Sequence, residues 1–174
     1  MSIRCFLMIF IGTVIGIGFM SLIPAGHNLT STDKMVAEAM KESSIMTVHE
    51  LEELMTGFDT YTLIDVRQEI EHYYGFIPGS VVLPRGIIEF NIENLDFWEH
   101  EGLYMPEKDE IIVVYCHKGQ RGALAAHTLQ HMGFNKVYYL EGGFKKWELS
   151  YPDLVDKNLE ALGGGPKEKA PSGC

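Results

Sequence analysis

The 174-residue chain is short of cysteine, of basic residues and of long apolar runs, and each shortage narrows what it can be. Its three cysteines, Cys5, Cys116 and Cys174, stand too far apart for a zinc-binding pair or a disulfide framework. Fourteen Lys and Arg against 24 Asp and Glu leave a formal net charge of −10, which argues against general nucleic-acid binding. No segment repeats. Only one apolar run is long: after Arg4, residues 5–23 carry no charge. As a helix this run would span roughly 28 Å, close to the thickness of a bilayer core. Its length, and a poor cleavage site at Ile23-Pro24-Ala25, favour an uncleaved membrane anchor over a cleaved signal peptide for residues 1–26. In both cases Arg4 held inside sends the rest of the chain outward, to an extracytoplasmic (periplasmic-side) location. Gly12 and Gly16 make a GxxxG spacing, which a Gly-rich run also produces by chance.

The remainder has the composition of a globular domain, with 46% apolar and 22% charged residues over the whole chain. Residues 27–44 are polar and mixed and read as a linker, with a short helix at 34–41. Residues 161–174, ending in Gly, Pro and Lys with nothing to bury, read as a disordered tail. The folded domain is expected at 45–160. There, strand and helix patterns alternate. "TVHELEELM" has Val48, Leu51, Leu54 and Met55 at helical spacing behind Thr47 as N-cap. "YTLIDV" and "SVVLP" are short strands, and "GIIEFNIENLDFWE" is a helical excursion. "IIVVYC" is an uninterrupted apolar run of the kind buried on both faces of a sheet. "ALAAHTLQHM" is a helix closed by Gly133, "KVYYLEGG" a last strand and turn, and "GFKKWEL" a final helical turn or two. Such alternation predicts an α/β fold with a parallel sheet covered on both sides. Ligands of such sheets sit at the strands' carboxyl ends, here Asp65-Val66-Arg67, Leu83-Pro84-Arg85 and Cys116.

"YCHKGQRG", residues 115–122, puts a thiol between a buried strand and the start of a helix. Strand-end cysteines are often small buried fillers. Here Gly119 frees the backbone to turn, so that N–H groups at a helix's positive end face inward and form an anion nest. His117, Lys118 and Arg121 add positive charge, and a thiol in such surroundings is expected to ionise readily and act as a nucleophile. Cys116 to Arg121 is a Cys-x4-Arg loop, one residue shorter than the Cys-x5-Arg loop that wraps a phosphoryl group. The tighter ring of donors suits a single sulfur atom, as in a persulfide on Cys116.

At these residues the chain resembles the single-domain rhodanese family of sulfurtransferases. "CHKGQR" resembles the family's six-residue active-site loop, "LIDVRQEIEHYYGFIPGSVVLP" its upstream signature, and "VYYLEGGFKKW" its closing strand, double glycine and tryptophan. The three occur in family order across about residues 45–150. The resemblance implies a rhodanese-like α/β fold: a five-stranded parallel sheet with helices on both faces, here preceded by one N-terminal hydrophobic helix. It implies catalysis by Cys116, which takes sulfane sulfur from a donor such as thiosulfate and passes it to an acceptor such as cyanide or a thiol. It carries over His117, Lys118, Gly119, Gln120 and Arg121 as the sulfur cradle. Asp65, Arg67 and Glu71 are carried over as supporting residues, with Glu71 the partner of Arg67. It implies no metal and no cofactor beyond the covalent persulfide. The partners expected are the small sulfur donor and acceptor, with the membrane added if the leader is kept.

Three departures stand out. Phe76 replaces the family's usual histidine, Gly122 replaces a frequent serine at the helix start, and residues 85–110 are long and aromatic. Phe90, Phe97, Trp98 and Tyr104 could wall the active-site mouth or simply pack on the sheet. Arg85 is a further candidate for an anionic donor. His127 and His131, spaced i, i+4, read as a solvated helix face, and the "EGG" turn as a tight backbone turn. Cys174 could reach Cys116 on its tail. The alternative to an enzyme is a sulfur-carrier or docking module of the same fold; the short loop argues against a phosphatase.

Overall fold

The computed structural model describes residues 30–158. The apolar leader, its GxxxG, Cys5 and the tail with Cys174 lie outside the described residues. Among those described, no helix is long and apolar enough to cross a membrane.

In chain order the elements are α1 (Ser31–Glu42), β1 (Ser44–Met46), α2 (Val48–Thr56), β2 (Tyr61–Asp65) and α3 (Glu69–Tyr74). Next come β3 (Val81–Val82), α4 (Ile88–Asn91), α5 (Leu95–His100) and β4 (Ile111–Tyr115). The last described elements are α6 (Gln120–His131), β5 (Lys136–Leu140), α7 (Gly143–Ser150) and a 3-10 turn at Pro152–Leu154. The five strands form one sheet in the order β1-β5-β4-β2-β3, all parallel. β4, the all-apolar "IIVVY", lies at its centre, between β2 and β5.

The period of two along each strand sorts the core. Ile64, Ile112, Val114 and Cys116 face one cluster, with Ile88, Trp98 and the small residues of α6. Leu63, Val113 and Tyr115 face the other, with Leu51 of α2 and Phe144 and Trp147 of α7. Ala123, Ala125 and Ala126 let α6 lie close over the sheet. Gly122 takes this furthest: a Cβ there would meet the Val114 carbonyl oxygen at 3.3 Å. The glycine therefore serves helix-on-strand contact at the place where the resemblance looked for a serine cap.

The segment read as a linker is in fact largely α1. Thr30 caps it with a reciprocal Asp33 bond, and Val36 and Ala39 are buried. The short helix expected at 34–41 lies within α1, which runs over Ser31–Glu42 and meets the protein along one narrow stripe. β1 was missed for its brevity; it pairs with β5 from Ser44 to Met46. α2 begins where its cap predicted: the Glu50 N–H donates to Thr47 Oγ1 and the Thr47 N–H to Glu50 Oε2. The aromatic excursion splits into α4 and α5, with Asn94 capping the second. Trp98 is fully buried, its Nε1–H donating to the Ile92 carbonyl at 2.9 Å, and Phe97 packs on the same cluster. Phe90 and Tyr104 are exposed.

Candidate functional site

The carboxyl end of β4 runs straight into the cysteine loop. Cys116 is 2% exposed, and Gly119 ends the turn with φ +97°, a left-handed conformation that suits glycine, before α6 begins at Gln120. The Gly119 N–H donates to Cys116 Sγ at 3.2 Å. The first intrahelical bond of α6 is Ala123 N–H to the Gly119 carbonyl. Helix geometry therefore leaves the amides of Gln120, Arg121 and Gly122 without intrahelical acceptors at the positive end of the helix, beside the sulfur.

The loop's carbonyls are turned the other way and held there. The Phe144 N–H donates to the Cys116 carbonyl at 2.8 Å and the Lys145 N–H to the His117 carbonyl at 3.0 Å. With these oxygens tied to the amino end of α7, the donors of the loop are left to the sulfur. The contact needs Gly143, whose φ is +61° and whose added Cβ would lie 2.2 Å from the Cys116 carbonyl oxygen and 2.8 Å from the Gly119 nitrogen. Gly143 is thus a functional position that the search for reactive side chains passed over. The signal was the double glycine itself, read only as a turn.

Of the charged candidates, Arg121 comes from the loop and Glu71 from α3. They form a two-pronged pair, with Nη1 to Oε2 and Nη2 to Oε1 both at 2.7 Å. The Arg121 bond holds Glu71 below the usual carboxylate range, against a smaller opposing effect of burial. Arg121 in turn is raised, first by its bond to Glu71 and further by the charges of Glu71 and Cys116. His117, Lys118 and Gln120 are exposed at the rim.

The expected Glu71–Arg67 pair does not form. Arg67 is buried and grips Asp65 instead, through Nη2 to Oδ2 at 2.6 Å and Nε to Oδ1 at 2.9 Å, with Nη2 also donating to the Gly75 carbonyl. Its guanidinium lies 4.2 Å from the Phe144 ring centroid. Arg67 follows β2 two residues after Asp65, whereas Glu71 lies in the first turn of α3, within reach of Arg121. Burial would raise Asp65, but the bonds from His72 and Arg67 and the Arg67 charge together hold it below its ordinary value. His72 sits 3.0 Å from Asp65 and stacks on Phe76 at 4.0 Å between ring centroids. A histidine therefore does stand here, on α3 rather than at position 76. Beneath, Tyr115 accepts the Ile77 N–H and shares a hydrogen bond with Ser80; burial, then the Asp65 charge, raises its pKa.

Arg85 does not join this group. It binds Glu89 at 2.6 Å and Thr128 Oγ1 at 2.9 Å. Its partners lie on α4 and in the middle of α6, so its cationic head is drawn off to the side of the loop. Beside the loop, His117, Arg67, Glu71, Tyr74, Phe144 and Lys157 line a cavity of about 300 Å³. None of the four aromatic residues of 85–110 lines it. His127 bonds Glu42 at 2.9 Å, with its ring beside that of His131. Among the described residues no group of three or more His, Cys, Asp or Glu is placed to hold a metal.

Three comparisons bear on this arrangement. A model of the rhodanese-like domain matches residues 47–150. The thiosulfate sulfurtransferase GlpE of Pseudoalteromonas translucida is 31% identical over 96 residues, covering 55% of this chain and 80% of that protein. YrkF of Bacillus subtilis, a candidate sulfur carrier, is 33% identical over 123 residues, 71% of this chain, and the chain spans only 55% of its length. Among solved structures, a Rhodopseudomonas palustris protein of unknown function, described as a possible tyrosine phosphatase, superposes with a TM-score of 0.56 at 31% identity. That match covers 72% of this chain and 96% of the other.

Proposed function

This chain belongs to the rhodanese-like domain family, and from that membership we propose that it moves sulfane sulfur from a donor such as thiosulfate to a thiophilic acceptor, through a persulfide on Cys116. The observation that carries the reading is the opposed orientation of the cysteine loop: the Cys116 and His117 carbonyls bind α7 while the Gly119 N–H donates to the sulfur.

The Cys116 thiolate attacks the outer sulfur of thiosulfate. The sulfur–sulfur bond breaks and sulfite leaves with the electron pair. Cys116 then carries one extra sulfur, whose partial negative charge meets the Gly119 N–H and the first-turn amides of α6. An acceptor such as cyanide attacks that terminal sulfur, the bond to Sγ breaks, and the thiolate is restored as thiocyanate departs. Every electron pair is accounted for, so the cycle needs neither metal nor redox cofactor. Arg121, positioned by Glu71, steadies the anionic forms. The cavity lined by His117, Tyr74 and Phe144 lies beside the cysteine loop and is the side from which donor and acceptor are proposed to approach. The four-residue spacing between Cys116 and Arg121 favours this chemistry over phosphoryl transfer. For the cellular setting, we propose extracytoplasmic placement, which rests on the uncharged run of residues 5–23 and is checked by fractionation.

The test is thiocyanate formation from thiosulfate and cyanide, beside a Cys116→Ser control, with intact-mass measurement of thiosulfate-treated protein. Turnover and a gain of one sulfur mass, both lost in the serine variant, are expected. Neither, in folded and reduced protein, would refute small-donor transfer. An adduct without turnover would favour the carrier reading that the YrkF likeness suggests.

A further inference from the structure

We propose that the open edge of β2, at the end of the sheet away from Cys116, is a docking site for an extended peptide segment carrying alternating apolar and basic side chains. The proposal stands on a part of the molecule that sulfur transfer does not use.

β3 is only Val81–Val82, and it pairs with Ile64 and Asp65 alone. The first three residues of β2, Tyr61 to Leu63, are paired on their inner side with β4. On their outer side no strand is present, and among the described residues their backbone makes no hydrogen bond outside the sheet ladder. Leu63 is buried, so the backbone this edge can offer an added strand is that of Thr60 to Thr62. Sheet edges are commonly blunted by a lysine, a proline or a covering helix. This stretch, "YTL", has none of the three at its own positions. Thr60 to Leu63 instead line a cavity of about 230 Å³ with Val81, Trp98 and Tyr104. A second, broader hollow of about 640 Å³ shares Thr60 and Tyr104 with it and adds Leu95 and Met105. Leu95, Leu103, Tyr104 and Met105 are all exposed, Tyr104 to 96%. Apolar side chains spaced along an open edge are what an added strand's alternate residues would pack against.

Charge selects the occupant. Glu107, Asp109 and Glu110 rim the hollow. Glu110 accepts from Thr62 Oγ1 and the Glu107 N–H, and Asp109 from the Asn135 amide, so their partners are neutral. The nearby cation, Lys108, is drawn away to Glu93, the Met132 carbonyl and the Phe134 ring. Three carboxylates with no cation among the described residues favour a basic partner. A second copy of this chain would bring the same acids to a two-fold contact, from a chain of net charge −10.

The probe is a labelled synthetic heptapeptide of alternating lysine and valine, titrated into the protein and followed by fluorescence anisotropy and amide chemical-shift mapping. Saturable binding is expected, with shifts concentrated at Thr60 to Leu63, Gly79 and Leu103 to Met105. A peptide with glutamate in place of lysine should bind at least about tenfold more weakly. So should one N-methylated on every second residue, which cannot complete the ladder. Glu107→Lys combined with Tyr104→Ser, both at exposed positions, should weaken binding by a similar factor while leaving distant amide signals in place. Absence of saturation, shifts centred on the cysteine loop, equal binding of the N-methylated peptide, or self-association through this edge would each overturn the proposal.

Discussion

At the carboxyl end of the sheet, four carboxylates around the cysteine loop each have their own cation: Asp65 with Arg67, Glu71 with Arg121, Glu141 with Lys146 and Glu148 with Lys157. At the amino end, about 16 Å away along β2, Glu107, Asp109 and Glu110 bind neutral donors or none. The carboxyl end also holds Gly119, Gly142 and Gly143, all at positive φ, in one packed turn-on-turn contact, while the amino end leaves a strand edge open. Both ends belong to the same five strands, so the sheet itself does not decide which end does chemistry. The difference lies in the connections at the two ends of each strand. Where several turns must interlock, side chains are shed and charges are matched at fixed distances. Where the chain merely enters a strand, neither constraint applies.

The sharpest way to break this contrast is Gly143→Ala. Its Cβ would have to occupy space 2.2 Å from the Cys116 carbonyl oxygen, at a φ that alanine resists. We expect a loss of stability of about 3–5 kcal/mol from strain and overpacking together. Sulfur transfer should fall by about a hundredfold or more in the fraction that folds, since a displacement near 1 Å is enough to misplace a reacting atom. Chemical denaturation beside thiocyanate assays checks both. A variant with normal stability and activity would show that the two turns are not interlocked.

Asp65→Asn comes next. It leaves Arg67, 2% exposed, without its counter-charge, and such losses cost about 3–5 kcal/mol. Acid should act in the same direction. Asp65 and Glu71 are both held below their ordinary values, 3.8 and 4.5. The stability each contributes is complete above those values and is lost as pH falls through the lower folded values. Unfolding monitored from pH 6 downward should therefore show the wild type losing stability below about pH 4. Asp65→Asn, starting lower, should show a shallower slope.

What the sequence made legible divides along the same line. The apolar run 111–115, the turn glycine at 119 and the thiol between them are local signals, and the ends of β2, β4, β5, α2 and α7 fall close to where the pattern puts them, whereas α3 was not assigned. Pairings across the fold were not legible. Glu71 is four residues from Arg67 and fifty from Arg121, and only the direction of α3 decides between them. Gly143 carries no reactive group, so a search for reactive groups passes it by. The helix expected at 34–41 gave no sign that it docks on the domain, because α1 has so few apolar residues, and β1 is too short to read. Arg85 stands after a strand's carboxyl end as Arg67 does, yet a neighbouring acid four residues on, Glu89, draws it elsewhere. A strand end specifies position; it does not specify where a long side chain points.

Glu71→Gln probes the pairing itself at smaller cost. The amide keeps the shape but loses the charge and one of the two parallel bonds to Arg121. Because Arg121 and Glu71 are about a third exposed, the effect on stability should stay below about 1 kcal/mol. The effect on kcat/KM for thiosulfate should be larger, about tenfold, or about 1.4 kcal/mol in the transition state. A positioning role shows as a fall in kcat with the persulfide still able to form. Equal losses in stability and activity would mean that Glu71 only props up α3.

The smallest effect is expected at the amino end, from Phe58→Ser. Phe58 is fully exposed just before β2, so the substitution removes no packing and opens no cavity. Stability should change by no more than about 0.5 kcal/mol, and thiocyanate formation not at all. If Phe58→Ser did lower stability, the aromatic ring would have to fold back over the open edge of β2 in solution. The edge would then be covered, and the carboxyl and amino ends would be alike in being closed.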